Sequence, residues 1–150
     1  MGQSLSKVYL HIIFSTKDRM PLIDDVIEPE LFRYMAGIGR DEGGHPLLIN
    51  GNVDHVHGLF ELGREVTISQ LVKHIKAGSS KWIKLQGDKY QNFAWQTGYA
   101  VFSVGQSQLE IAKNYISQQK IHHQKIDYQQ ELREFLRKYQ VEFDEKYVWG

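Results

Sequence analysis

The sequence predicts an α+β fold, an antiparallel sheet with helices packed on one face. Three observations point there: short β-branched and aromatic runs of strand length, longer segments with apolar residues three and four apart, and the way the two alternate. Lys7 to Thr16, KVYLHIIFST, reads as a buried strand. Pro29 to Arg40 reads as a helix with Leu31, Phe32, Met35 and Ile38 along its apolar stripe. The EGGH segment makes a turn, a strand follows near Leu47 to Asn50, and Asn50-Gly51-Asn52 makes a tight turn. Asp54 to Leu62, DHVHGLFEL, is the second strand of that hairpin. A long helix covers about Thr67 to Leu85, a Gly-rich aromatic stretch follows it, and Tyr99 to Val104 is another strand. Ser107 suits the N-cap of a helix running to His122, and Asp127 the cap of a last helix ending near Tyr139. The order β-α-β-β-α-β-α-α is that of a split β-α-β, ferredoxin-like sheet.

Composition narrows the field. The chain has 150 residues, with no repeat, low-complexity tract or linker, and is expected to form one domain over 1–150. Its 12% aromatic content is ordinary for a globular protein and too high for a disordered one. No apolar run approaches the roughly 18 residues of a membrane helix, and the N-terminus lacks a signal-peptide core. With no cysteine, disulfides and thiolate metal sites are excluded, and a cytoplasmic location is expected. The formal net charge is zero, unlike many nucleic-acid binders, so local patches must decide whether this chain is one.

His55-Val56-His57 is the first chemical feature. Alternate strand residues share a face, so both imidazoles project one pleat apart on the same side. Two neutral imidazoles so placed can chelate one divalent ion and leave positions open for substrate. By itself the same spacing also describes two partly exposed strand histidines.

The helix after Ser107 carries the second. At about 100° per residue, Tyr115 and Gln119 lie one turn apart on a stripe that His122 continues. Leu109, Ala112 and Ile116 form the adjoining apolar stripe, with Lys113, Ser117 and Lys120 on the far side. A phenol at that edge can act as a nucleophile and a Gln carbonyl as a hard metal ligand. A half-buried Tyr and a solvated Gln are the bland alternative.

The third feature is electrostatic. Lys73, Lys76, Lys81 and Lys84 share the polar side of the Thr67 helix, and Trp82, Tyr90, Phe93, Trp95 and Tyr99 follow. Lysines that track phosphates and rings that stack on unpaired bases suit single-stranded nucleic acid, and for any single residue a solvated lysine face over core aromatics serves at least as well.

Taken in order, these segments resemble the single-tyrosine HUH transposases of the smallest bacterial insertion sequences, the IS200-like transposase family. The matching residues are HIIFSTKDR (His11 to Arg19), DHVHGLF (Asp54 to Phe60), SSKWIK (Ser79 to Lys84) and W-x-x-GYAVFSV (Trp95 to Val104). NYISQQKIHH (Asn114 to His123) and DEKYVW (Asp144 to Trp149) continue the match. One departure is Gly58, where a larger apolar residue is usual, which implies slightly weaker strand packing.

The resemblance implies Tyr115 as nucleophile and His55, His57 and Gln119 as ligands of Mg²⁺ or Mn²⁺. The substrate would be single-stranded DNA at hairpin-marked element ends, cut and rejoined through a 5′-phosphotyrosine intermediate. It further implies a homodimer whose sites are shared between subunits, with no nucleotide cofactor and no membrane partner. Asp54, Lys113 and His122 are candidates for accessory roles. The alternatives are a domesticated relative acting on genomic palindromic repeats, and a non-catalytic nucleic-acid binding module.

Overall fold

The computed structural model describes residues 2–150 of the chain. Its sheet is antiparallel throughout, with the strands in the order β2-β3-β1-β4. In sequence these are β1 (Tyr9–Ser15), β2 (Gly44–Asn52), β3 (His55–Leu62) and β4 (Ala100–Val104). This is the arrangement expected of the split β-α-β order. Each crossover carries a helix, α1 (Glu28–Asp41) between β1 and β2 and α2 (Ile68–Lys84) between β3 and β4. Thr67 starts α2 with a capping box: its hydroxyl accepts from the Gln70 amide, and the Gln70 side chain accepts from the Thr67 N–H.

Helices cover both faces of the sheet rather than the one face expected. On the first, Leu10, Ile12 and Phe14 of β1 and Val56 and Phe60 of β3 pack against α1 and α2 through Leu31, Met35, Leu71 and Ile75. On the second, Ile13, Leu59 and Phe102 meet Ile116, Leu132 and Leu136 from the C-terminal third of the chain. The reason lies in β1, whose YLHIIFS is buried at every position. With helices on one side only, Ile13 and Leu59 would face water, at a cost of about 1.5–3 kcal/mol for each exposed aliphatic side chain.

Two local readings change. β2 runs on through Asn52, which pairs with His55, and the hairpin turns at Val53-Asp54 instead of at Asn50-Gly51-Asn52. Gly51 serves close backbone approach: a Cβ there would lie 2.2 Å from the His55 carbonyl oxygen. The helix read from Ser107 to His122 is broken. It consists of a 3₁₀ turn over Gln106–Gln108, α3 (Leu109–Ser117) and α4 (Gln119–His122). Gln118 separates the two with φ −105° and ψ 22°, and its N–H bonds back to the Tyr115 carbonyl in a tightened last turn. Ser107 makes no cap, whereas Asp127 does: its carboxylate accepts from the Gln130 amide and opens α5 (Tyr128–Lys138).

Gly58 turns out to serve packing. The Phe60 ring would lie 2.7 Å from a Cβ at Gly58 and 2.5 Å from one at Gly39, so the two glycines leave room for it. Among the described residues no helix is long and apolar enough to cross a membrane.

Candidate active site

The period of β3 places both histidines on the second face of the sheet, with ring centroids 5.2 Å apart and both side chains fully buried. Each ring is held from behind. His55 Nδ1 lies 2.7 Å from the Asp54 carboxylate, and His57 Nδ1 lies 2.7 Å from His11 Nε2 on the neighbouring strand. Such outer contacts fix tautomer and ring orientation, leaving Nε2 of both rings to face the helices.

What they face is assembled by α3, α4 and α5. Glu131, on the inner side of α5, is 1% exposed. Its Oε1 lies 2.9 Å from His57 Nε2, 3.0 Å from His123 Nε2 and 3.5 Å from His55 Nε2. Gln119, fully buried at the start of α4, places its carbonyl oxygen 3.0 Å from His55 Nε2 and donates its amide to Glu131 Oε2 at 3.1 Å. Tyr115 comes from the last turn of α3, and its hydroxyl donates to the same Glu131 oxygen. The Tyr115 ring stacks on His122, with centroids 4.4 Å apart and planes at 22°. His122 Nε2 is buried without a hydrogen-bond partner among the described residues. Tyr115, Gln119, His55 and His57 of one chain are therefore gathered at one place despite the break at Gln118.

The electrostatics follow from burial and from one carboxylate. Burial alone would raise the Glu131 pKa, but His57, His123 and His55 outweigh it and hold the group ionised, well below the usual carboxylate range. Burial lowers the pKa of His57 against the pull of Glu131, which favours the neutral imidazole that metals bind. Burial and the neighbouring His57 push His11 well down. For His123, Glu131 overcomes burial and raises the pKa. Burial first, and then the Glu131 charge, push the Tyr115 phenol far above its ordinary value.

His55, His57, His123 and Glu131 form a group able to hold a metal ion, each offering one donor atom, all within 4.8 Å of one another. The set fits a divalent ion chemically: it combines imidazole nitrogens with a buried carboxylate already ionised in the fold. Gln119 adjoins it through its oxygen.

The other sequence candidates are spread more widely. Asp54 backs His55, while Lys113 pairs with Glu110 at 3.3 Å on the outer side of α3. The α2 lysines lie over the opposite face of the sheet. Lys73 is exposed and, with Lys76, Trp95 and Tyr99, lines a cleft of about 430 Å³. Lys76 donates to the Thr97 and Gly98 carbonyls at 3.1 and 2.8 Å, and burial lowers its pKa to about 8. Lys81 and Lys84 lie further along α2, outside that cleft.

Sequence reasoning passed over Glu131, offered His123 only beside His122 as a candidate extra metal or phosphate group at a helix end, and used His11 only as part of a matching segment. One signal for Glu131 was available. In YQQELREFLRK it sits on the apolar stripe with Tyr128, Leu132 and Phe135, a position where an unpaired carboxylate does not belong.

The fold has counterparts among solved structures. A candidate transposase from Deinococcus radiodurans R1 superposes with a TM-score of 0.62 at 22% identity, covering 79% of this chain and 96% of that one. A REP-associated tyrosine transposase, solved bound to a REP hairpin, gives 0.59 at 14% identity over 82% of this chain and 73% of its own. No curated protein matches the chain. At these identities the likeness shows a shared fold. The family model described as "Transposase IS200 like" matches residues 4–119, most of the chain, and with that match the chain belongs to the IS200-like transposases, enzymes that cut nucleic acid.

Proposed function

We propose that this transposase cuts and rejoins single-stranded DNA through a covalent link to Tyr115, with a divalent ion held beside it. The observation that carries the reading is the position of Glu131. One carboxylate accepts from the Tyr115 hydroxyl and also contacts His57 and His123, which couples a nucleophile to a candidate ion site.

His55, His57 and Glu131 would hold the ion, with His123 or the Gln119 oxygen completing its protein ligands. The mixed nitrogen and oxygen donors suit Mn²⁺ better than Mg²⁺, which prefers oxygen. A bound ion would polarise the scissile phosphate and neutralise charge developing on its oxygens. The chain's own groups do the rest. Asp54 and His11 fix the two strand imidazoles, Gln119 ties His55 to Glu131, and Glu131 aims the phenol. As the Tyr115 oxygen bonds to phosphorus, the bond from phosphorus to the 3′ oxygen of the preceding nucleotide breaks, and the proton that the phenol gives up, while Glu131 holds its oxygen in place, is matched by the one that the leaving 3′ oxygen gains. A free 3′-OH leaves, and a 5′-phosphotyrosine stays on the chain. The ester keeps the bond energy, so the 3′-OH of another strand can reverse the step without ATP. Lys73, Lys76, Lys81 and Lys84 would follow the DNA backbone on α2, with Lys113 and His122 near the site as accessory groups. The chain would act as a single domain and, as its family resemblance implies, as a homodimer.

The test mixes the protein with labelled single-stranded hairpin DNA from its own genomic flanks and Mg²⁺ or Mn²⁺, then runs a denaturing gel. A metal-dependent protein–DNA adduct that disappears in Tyr115→Phe and in His57→Ala is the expected result. Tight binding with no adduct under either metal would overturn the cutting role.

A further inference from the structure

The candidate ion ligands are shut away from solvent, but Tyr115 has a second neighbourhood. On the side of α5 next to β4, it lines an open cleft of about 420 Å³ between α3 and α5. That is within the roughly 300–1,000 Å³ usual for small-ligand sites. The Phe135 ring stands edge-on to Tyr115, with centroids 5.5 Å apart at 83°, and edge-on to His11 at 5.1 Å and 90°. At the mouth, Ile111 is 62% exposed on a helix whose other apolar residues Leu109 and Ile116 are buried. Glu134 and Lys138, exposed one turn apart on α5, also line the cleft and offer an acceptor and a donor.

We infer that this cleft takes the unpaired nucleobase next to the phosphate that Tyr115 attacks. Flat aromatic and aliphatic walls with a donor and an acceptor at the rim are what an unstacked base requires. Its faces need rings or methyl groups, and its edge carries both kinds of hydrogen-bonding group. A lipid tail or apolar peptide would gain nothing from Glu134 and Lys138. Because Tyr115 lines the cleft, a base seated there brings its own phosphate toward the phenol. The chain itself would then help to choose where the strand is cut. The inference rests on the cutting role proposed above for Tyr115.

The experiment uses the full chain with Mn²⁺ and the single-stranded hairpin oligonucleotide, the cut being mapped from the adduct. Each nucleotide flanking the cut is replaced in turn by an abasic residue or by 2-aminopurine. Removing one of the two bases is expected to lower adduct formation by roughly tenfold or more, the scale of one stacked base. Ile111→Asp, a change at an exposed position, should cause a similar loss on the intact strand and little further loss on the abasic one. Lys138→Gln should behave in the same way with a smaller effect. Equal cutting of intact and abasic strands by the unaltered chain, or an Ile111→Asp defect that persists undiminished on the abasic strand, overturns the inference and leaves the cutting role standing. If no strand is cut, that role fails, and 2-aminopurine fluorescence decides about the cleft separately. Quenching that Ile111→Asp abolishes supports base binding, and its absence in the unaltered chain overturns it.

Discussion

The Tyr115 hydroxyl donates to Glu131, a residue sixteen positions later that only the docking of α5 brings into reach. Phenol, carboxylate and strand histidines thus meet through tertiary packing. The site should respond to changes that loosen α5 as well as to changes in the ligands themselves.

Glu131→Gln keeps the shape of the side chain and removes its charge. Calorimetric titration with Mn²⁺ should show affinity falling by about 10–100-fold or more, the scale seen when even an outer contact of a metal site is lost. Unchanged affinity would remove Glu131 from the ligand set. In the metal-free protein the Tyr115 pKa should fall toward its ordinary value, since the neighbouring charge is one of the causes that raise it.

Leu132→Ala empties a buried position that holds α5 to the sheet. Urea denaturation should show a loss of about 2–4 kcal/mol, as for other buried leucines. Mn²⁺ affinity should drop as well, although Leu132 offers no donor atom. A stability loss without any effect on Mn²⁺ would mean that Glu131 does not bind the ion.

Gly51→Ala tests the hairpin in the same spirit. Its Cβ would collide with the His55 carbonyl oxygen, so β3 must move where it carries the first histidine. The expected outcome is weaker Mn²⁺ binding with the helical circular dichroism signal retained.

Acid should weaken the metal-free fold. His11 and His57 have lowered pKa values when folded, so as pH falls through about 6.5 the unfolded chain takes up protons that the folded chain refuses. Each such group removes up to about 1.4 kcal/mol per pH unit below that point. His123 opposes this, because its raised pKa adds stability at low pH that is lost as pH rises through the folded value. Two groups against one leave a net loss of stability between pH 7 and pH 5.5. Urea midpoints measured across that window check it, and the slope should lessen in His11→Gln.

Lys73 is exposed and Lys76 is tied to two carbonyls, so the two should differ toward DNA. Lys73→Ala should weaken single-strand binding and reduce the log–log salt slope by roughly 0.7–1. Lys76→Ala should in addition lower stability, since it unties α2 from Thr97 and Gly98. A salt series of binding isotherms, with a melting curve for each variant, separates the two effects.

How far the sequence alone reached can be judged from these residues. His55 and His57 were legible because a strand has a period of two, and their shared face follows from that alone. Asp127 was legible because capping is local chemistry, whereas Ser107 has the right residue type but lies inside a 3₁₀ turn that the sequence does not mark. Tyr115 and Gln119 came out on one stripe, yet the break at Gln118 was hidden, because a tightened last turn leaves no mark in residue type. Helices on both faces were missed because β1 alternates nothing: all of YLHIIFS is buried, so pattern could not tell which side was covered. Glu131, His123 and His11 depend on which helix docks where; the misfit of Glu131 among apolar neighbours hinted at it, and His123 showed only as one of a pair at a helix end.

His55, His57, Gln119, Glu131 and Tyr115 meet within one polypeptide. Where the cutting role proposed above runs on this arrangement, and not on sites shared between subunits as the family resemblance implies, loss of function is inherited copy by copy: a cell holding Tyr115→Phe and His57→Ala versions of the gene together would make no protein molecule with a full set of groups, and neither allele would rescue the other.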